Sequence, residues 1–258
     1  MCGIFALLNC NNSKIIEPNI VNISFELSSK RGPEKSKLIR NDINDFIFGF
    51  HRLAINGLNE VSGQPMTINN ITIICNGEIY NYKEILKEIN IIPQTGSDCE
   101  IIIYLYLNYG IHTAVSMLDG VFSFLLYDHN NNTIHCSRDP FGVRPLYYLN
   151  YYNNEHKNVI GFSSELKSLS SILRTHYPNI EETNKYISQF PPGYIYTFSK
   201  NETKWYKSNE IQYYTIPYPT SIINSYSSDE LITTRKNICK YLNYAVRKRV
   251  IETSDRPI

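Results

Sequence analysis

The chain begins Met1-Cys2-Gly3-Ile4-Phe5. A cysteine directly after the initiator is small enough to leave Met1 open to removal. Cys2 would then carry both a thiol and a free α-amino group, whose pKa is ordinarily about 7.7–8.0. Such an amine can act as general base for its own side chain, and a thiol is the better nucleophile than a hydroxyl at that position. A small second residue is common, so these five residues alone favour no chemistry. The remaining titratable residues narrow the choice. The other cysteines are Cys10, Cys75, Cys99, Cys136 and Cys239, and the histidines are His51, His112, His129, His135, His156 and His176. No Cys-x-x-Cys pair and no Cys/His spacing suited to zinc occurs. Cys75 and Cys136 lie in strand-like runs and read as small core residues. No histidine pairs with Cys2 in a motif, which fits a nucleophile activated by its own amine.

A chain of 258 residues holds one large domain or two modest ones. Hydrophobic residues make up 42% and charged residues 19%, the balance of a globular chain. The net charge of +1 removes any electrostatic case for nucleic acid or an acidic membrane as partner. No apolar run reaches the length of a membrane span, and no basic patch followed by an apolar core opens the chain. Together with the cysteine pattern this predicts a reducing, cytoplasmic setting without structural disulfides.

Elements able to position Cys2 follow in order. Gly3 to Asn9 is a buried strand. Asn19 to Ser29 is a helix with Ile20, Ile23 and Leu27 on one face, stopped by Arg31-Gly32-Pro33-Glu34. Strands are expected over Asp45 to Ile55 and Ile71 to Cys75, the second running into Asn76-Gly77-Glu78-Ile79. A short helix follows over Lys83 to Asn90 and a longer one over Cys99 to Tyr109, the latter capped by Ser97 or Asp98. The middle third predicts strands over Gly120 to Tyr127, Thr133 to Ser137, Leu146 to Tyr151 and Val159 to Ser163, with a turn at Asn130-Asn131-Asn132. A helix over Glu165 to Leu173 and strands over Tyr194 to Ser199 and Thr203 to Tyr206 complete the body. Strands flanked by helices, without dominant β-α-β alternation, argue for stacked sheets with helices outside. Gln212 to Ser228 reads as a polar linker. Ser227-x-x-Glu230 is a capping box for a final helix, Asp229 to about Val250. Its Leu231, Ile238, Leu242, Ala245 and Val246 share one face with nothing left to cover it.

The motifs now carry a resemblance. Cys2-Gly3-Ile4-Phe5, Arg31-Gly32-Pro33-Glu34, His51-Arg52-Leu53-Ala54-Ile55, Asn76-Gly77-Glu78-Ile79-Tyr80-Asn81 and Gly96-Ser97-Asp98-Cys99-Glu100 occur in the order seen in class II glutamine amidotransferases, which are N-terminal-nucleophile hydrolases. The segments 118–124, 137–148 and 162–167 look most like glutamine-hydrolysing asparagine synthetase. The resemblance runs from Cys2 to about Gly193 and resumes in the final helix.

It implies an α+β fold, a four-layer αββα sandwich of two mainly antiparallel sheets. It implies that Cys2 attacks the side-chain amide of glutamine, releasing glutamate and ammonia. Asn76 and Gly77 would form the oxyanion hole, Arg52 would bind the substrate carboxylate, and Asp98 and Glu78 its ammonium. Read as residues alone, Asp98 is a helix cap, Arg52 a surface charge, and Arg31 either support for the site or a solvated turn residue. The implied domains are an amidotransferase domain over 2–210, a linker over 211–228, and over 229–258 the first helix of an ATP-dependent synthetase domain. No Ser-Gly-Gly-x-Asp-Ser loop for pyrophosphate is present. No cofactor is expected in this chain, while ATP and Mg2+ belong to that synthetase domain or chain, which would join the ammonia to aspartate. The final helix should be loosely docked without it, and association into a homodimer stays open. Two rivals remain: the glutaminase domain of another class II amidotransferase, and a glutamine-binding module without catalysis.

Overall fold

Alternation of apolar residues builds the centre of the molecule. In the computed structural model, which describes residues 1–10, 16–152, 158–176, 185–217, 227–252 and 255, two six-stranded sheets face one another. The first contains β1 (Gly3–Leu8), β2 (Lys35–Asn41), β3 (Phe46–Arg52), β8 (Tyr147–Tyr152), β9 (Asn158–Ser163) and β10 (Ile187–Gln189), ordered β10-β8-β9-β1-β3-β2. The second contains β4 (Met66–Ile68), β5 (Ile71–Ile79), β6 (Gly120–Asp128), β7 (Thr133–Arg138), β11 (Tyr194–Lys200) and β12 (Trp205–Gln212), ordered β12-β11-β7-β6-β5-β4. Every strand pairing is antiparallel.

Three cores account for the layering. Ile4, Ala6, Leu8, Phe46, Phe48, Phe50, Ile74, Leu125 and Tyr127 meet between the sheets. The opposite side chains of the first sheet, Phe5, Leu7 and Ile47, pack under α1 (Pro18–Glu26) and α4 (Leu166–His176). Those of the second, Ile71, Ile73, Cys75 and Ile79, pack under α2 (Tyr82–Glu88) and α3 (Ile101–Met117). The expected four-layer αββα sandwich is therefore the fold. Its sheets bury apolar side chains on both faces, which is why β1 reads as an unbroken hydrophobic run.

Several local expectations are corrected. The buried face of α1 is Val21, Ser24 and Phe25, because Phe25 stacks on His51 at 3.9 Å between ring centroids; Ile23 and Leu27 face solvent. β2, β4 and β10 were not expected. β2 (sequence KSKLIRN) is a largely exposed edge strand whose charges hide its alternation and discourage further pairing. β12 runs to Gln212, six residues beyond its expected end. The helix expected to stop at Tyr109 breaks at Gly110, at φ 74°, and resumes to Met117. Part of the linker expected over 211–228 lies outside the described residues. The capping box at Ser227 and Glu230 is formed and opens α5 (Ser228–Arg247), none of whose residues is buried. Just beyond α5, Lys248 pairs with Asp119 and the Arg249 guanidinium lies 4.6 Å from the Tyr80 ring centre. No described helix is long and apolar enough to cross a membrane.

Candidate active site

The same alternation that fills the space between the sheets aims three expected residues into its open end. Cys2 extends the inward series Ile4, Ala6 and Leu8 on β1; Arg52 extends Phe46, Phe48 and Phe50 on β3; Asn76 extends Ile74 on β5. Since Gly3 lies opposite His51 in the β1–β3 ladder, Cys2 falls beside Arg52. These residues, with Gly77 and Asp98, line one cleft. Met1, Asn56, Gln64, Cys75, Cys99 and Arg144 contribute further wall.

Cys2 is held at its carbonyl and at its thiol. Its Sγ lies 3.3 Å from the Leu53 carbonyl oxygen, to which it donates, and accepts from the Leu53 N–H at 3.4 Å. Arg31 Nε donates to the Cys2 carbonyl at 2.9 Å, and Nη1 of the same guanidinium pairs with Glu165 at 3.7 Å. Arg31 is thus tied to the Cys2 backbone and to Glu165 rather than being a solvated turn residue. Burial pushes the Cys2 thiol above its ordinary value, with the Leu53 hydrogen bond and the chain's amino terminus pulling it back. The amino terminus, here on Met1, is lowered from 8.0 by burial, assisted by Arg31 and Arg144. Both shifts favour the neutral forms of the Cys2 thiol and the Met1 amine.

Facing the thiol is a set of unused donors. Asn76 is 1% exposed, and its Nδ2 has no hydrogen-bond partner. β5 was expected to end at Cys75, yet it stays paired to β6 through Ile79, with Gly77 opposite Phe122. Phe122 exchanges its own backbone bonds with Asp139 and the Asp139 side chain, so the Gly77 N–H points to the other edge of β5. On that edge the Cys75 N–H is taken by Gln64 Oε1 at 2.6 Å and the Ile79 N–H by Asp98 Oδ2 at 2.7 Å. Gly77, between them, offers its N–H to the cleft. A Cβ there would meet Phe122 Cβ at 2.9 Å and Cys75 Sγ at 3.0 Å, so no side chain fits.

The charged residues divide. Arg52, 8% exposed, donates through Nη2 to the Gly57 and Asn59 carbonyls at 2.5 and 2.8 Å, and it lines the cleft. Asp98 is no helix cap: Ser97 accepts the Cys99 N–H in that role, and Asp98 turns inward to Ile79. Burial raises the Asp98 carboxyl to about 6, against the pull of the Ile79 hydrogen bond. Glu78 does not line the cleft; it faces Arg144 at 3.8 Å. Arg144 carried no expectation, although it lies in the quoted 137–148 segment. That segment folds around two side chains. Asp139 accepts the N–H groups of Phe141, Val143 and Arg144 at 3.1, 2.9 and 3.0 Å, and Arg138 binds the Arg144, Gly142 and Phe190 carbonyls at 2.7–2.8 Å. Among the described residues no group of three or more His, Cys, Asp or Glu side chains could hold a metal ion.

Comparison with known proteins bears on the family and the fold. Residues 1–209 match the family described as "Glutamine amidotransferase domain". Over the whole chain it is 34% identical to a probable glutamine-hydrolysing asparagine synthetase of Acanthamoeba polyphaga mimivirus, covering 46% of that protein. It is 30% identical over 97% of its length to the glutamine-hydrolysing asparagine synthetase of Gallus gallus, covering 44% of it. The chain therefore spans less than half the length of these relatives. Among solved structures, glutamine phosphoribosylpyrophosphate amidotransferase from B. subtilis superimposes with a TM-score of 0.60 at 19% identity, over 83% of this chain and 50% of that one. An allosteric regulatory enzyme of purine biosynthesis gives 0.62 at 18% identity over the same shares. Two antiparallel sheets, the Cys2 thiol at their open end and this match over four-fifths of the sequence lead to one conclusion: the chain belongs to the glutamine amidotransferase domain family, homologous to the glutamine-hydrolysing asparagine synthetases.

Proposed function

We propose that this chain hydrolyses glutamine to glutamate and ammonia through a thioester on Cys2. The observation that carries the reading is the buried, unpartnered Asn76 amide beside the Gly77 N–H, both lining the cleft with Cys2. With Met1 removed, the Cys2 amine takes the thiol proton as Sγ attacks the side-chain carbonyl carbon of glutamine. The C–O electron pair moves onto oxygen, and Asn76 Nδ2 and the Gly77 N–H hold that oxyanion. Its collapse breaks the C–N bond, and the protonated amine gives its proton to the departing ammonia. Water, deprotonated by the same amine, then attacks the thioester, releasing glutamate and restoring the thiol. Arg52 binds the α-carboxylate as a two-pronged donor, and Asp98 holds the α-ammonium. Glu78 adds negative charge to that end of the cleft from its place against Arg144.

The ammonia is used by an ATP-dependent synthetase domain, part of the same polypeptide or a separate chain, to convert aspartate to asparagine with release of AMP and pyrophosphate. ATP and Mg2+ act there and not at Cys2. Supporting this are the names of the relatives and the share of their length that this chain leaves uncovered. A reducing, cytoplasmic setting fits the six free cysteines. The test is ammonia release from glutamine by the purified chain and by Cys2→Ala. Turnover in wild type and none in the variant is expected; equal turnover in both would refute the assignment.

A further inference from the structure

The cleft contains a second amide that nothing in the fold uses. Asn56 is 9% exposed, lines the cleft, and neither Oδ1 nor Nδ2 has a hydrogen-bond partner. Buried polar atoms are almost always paired, so an amide with both ends open, in the wall of a ligand cleft, is a place where a ligand completes the bonding.

The position is fixed rather than adaptable. Asn56 follows β3 by four residues, and the next residue, Gly57, is pinned on several sides. The Gly57 carbonyl accepts from Arg52 and its N–H donates to Asp255 Oδ2 at 2.8 Å. Gly57 itself has a φ of 61°, and a Cβ there would meet Ser62 Oγ at 2.4 Å and the Gly96 carbonyl carbon at 2.7 Å. The Asp255 N–H donates to the Ile55 carbonyl at 3.2 Å on the other side of Asn56. The backbone on both sides of Asn56 is therefore tied, and its side chain cannot leave the cleft by a small loop shift. The Asn56 amide also lies beside the Asp98 carboxyl group. Neither amide atom is bonded to it, so Oδ1 is left as an acceptor at the same end of the cleft.

Resting on the reading of the cleft as a glutamine site, we propose that Asn56 is a substrate-binding residue whose Oδ1 accepts a hydrogen bond from the α-ammonium group beside Asp98. Two acceptors, one charged and one neutral, then share the three N–H groups of the ammonium. The pair selects an α-amino acid amide over a plain carboxylic acid amide of the same length.

The test is Asn56→Leu, which keeps the volume and removes both polar atoms. A ligand-binding amide and a structural amide give opposite signs in the ligand-free protein. Exchanging a buried, unpaired amide for an apolar group of like shape should raise the thermal midpoint, by roughly 2–4 °C for a chain of this size. The KM for glutamine should rise by about ten-fold or more, because a bond to a charged group is lost, with kcat within about two-fold. A KM within two-fold of wild type overturns the proposal, and so does a fall in thermal midpoint together with activity. Failure of the underlying reading is seen separately, in the wild type, as absence of glutamine hydrolysis.

Discussion

Replacing Asp98 with asparagine should make the protein more stable and worse at holding glutamine. The carboxyl group is fully buried, and its pKa is raised from 3.8 to about 6, first by burial and then by Glu78. A raised carboxylate pKa means that the folded chain binds the proton more tightly than the unfolded chain. The favourable contribution is present at low pH and is lost as pH rises from 3.8 to about 6. Above that window the cost of keeping Asp98 ionised is roughly 3 kcal/mol, at about 1.4 kcal/mol for each tenfold change in proton affinity. The replacement amide carries no charge, and its oxygen can still accept the Ile79 N–H that Asp98 accepts at 2.7 Å. The D98N protein is therefore expected to gain up to about 3 kcal/mol at pH 8 and little below pH 4. At roughly 2–4 °C per kcal/mol, the gain at pH 8 is a rise of about 6–12 °C in thermal midpoint. Thermal unfolding of both proteins at pH 4 and pH 8, followed by circular dichroism, reads it directly. The functional counterpart is a KM for glutamine that rises in wild type as pH falls through about 6, where Asp98 takes its proton, and that is high at every pH in D98N. A D98N protein less stable than wild type at pH 8 would refute the reasoning.

The other expectations follow from the same geometry. Asn76→Ala removes an oxyanion donor and should lower kcat by about 10²–10³ with little change in KM. Arg52→Ala should instead raise KM, since the α-carboxylate is bound before and during reaction; steady-state kinetics showing the reverse split would overturn both roles. Amide hydrogen exchange over α5 should be fast, because none of its residues is buried and Ile238, Leu242 and Val246 are each more than half exposed. Strong protection there in a dilute monomer would mean that the helix packs on the sandwich.

Much of this fold is legible in the sequence because both sheets are buried on both faces. Gly3 to Leu8 is apolar without interruption, Gly120 to Tyr127 is broken only by Ser123, and both identify themselves. Edge strands do not: Lys35–Asn41 keeps its charges outward, and its place is set by the ladder to β3. The exposed Ile23 and Leu27 misdirect the reading of α1, because helical spacing alone cannot tell which stripe meets Phe5 and His51. Cys2, Arg52, Asn76, Gly77 and Asp98 come from the motifs, and the structure brings all five to one cleft. Glu78 was expected at the substrate ammonium, and its pairing with Arg144, which approaches from the far-off 137–148 segment, was not legible. Asn56 was not legible at all. Its interest lies in two missing partners, and an absence of hydrogen bonds has no signature in a sequence.

The central claim is that Cys2, with its own amine freed, is the nucleophile. A diazoketone analogue of glutamine, whose electrophilic carbon replaces the scissile amide, tests it. The purified chain is incubated with the analogue, and intact mass and peptide mapping are recorded alongside residual activity. One adduct per chain, located on a Cys2 that has lost Met1, with activity falling in step, is the result expected. An adduct on Cys75 or Cys99, or full glutaminase activity in a chain that retains Met1, would contradict the account.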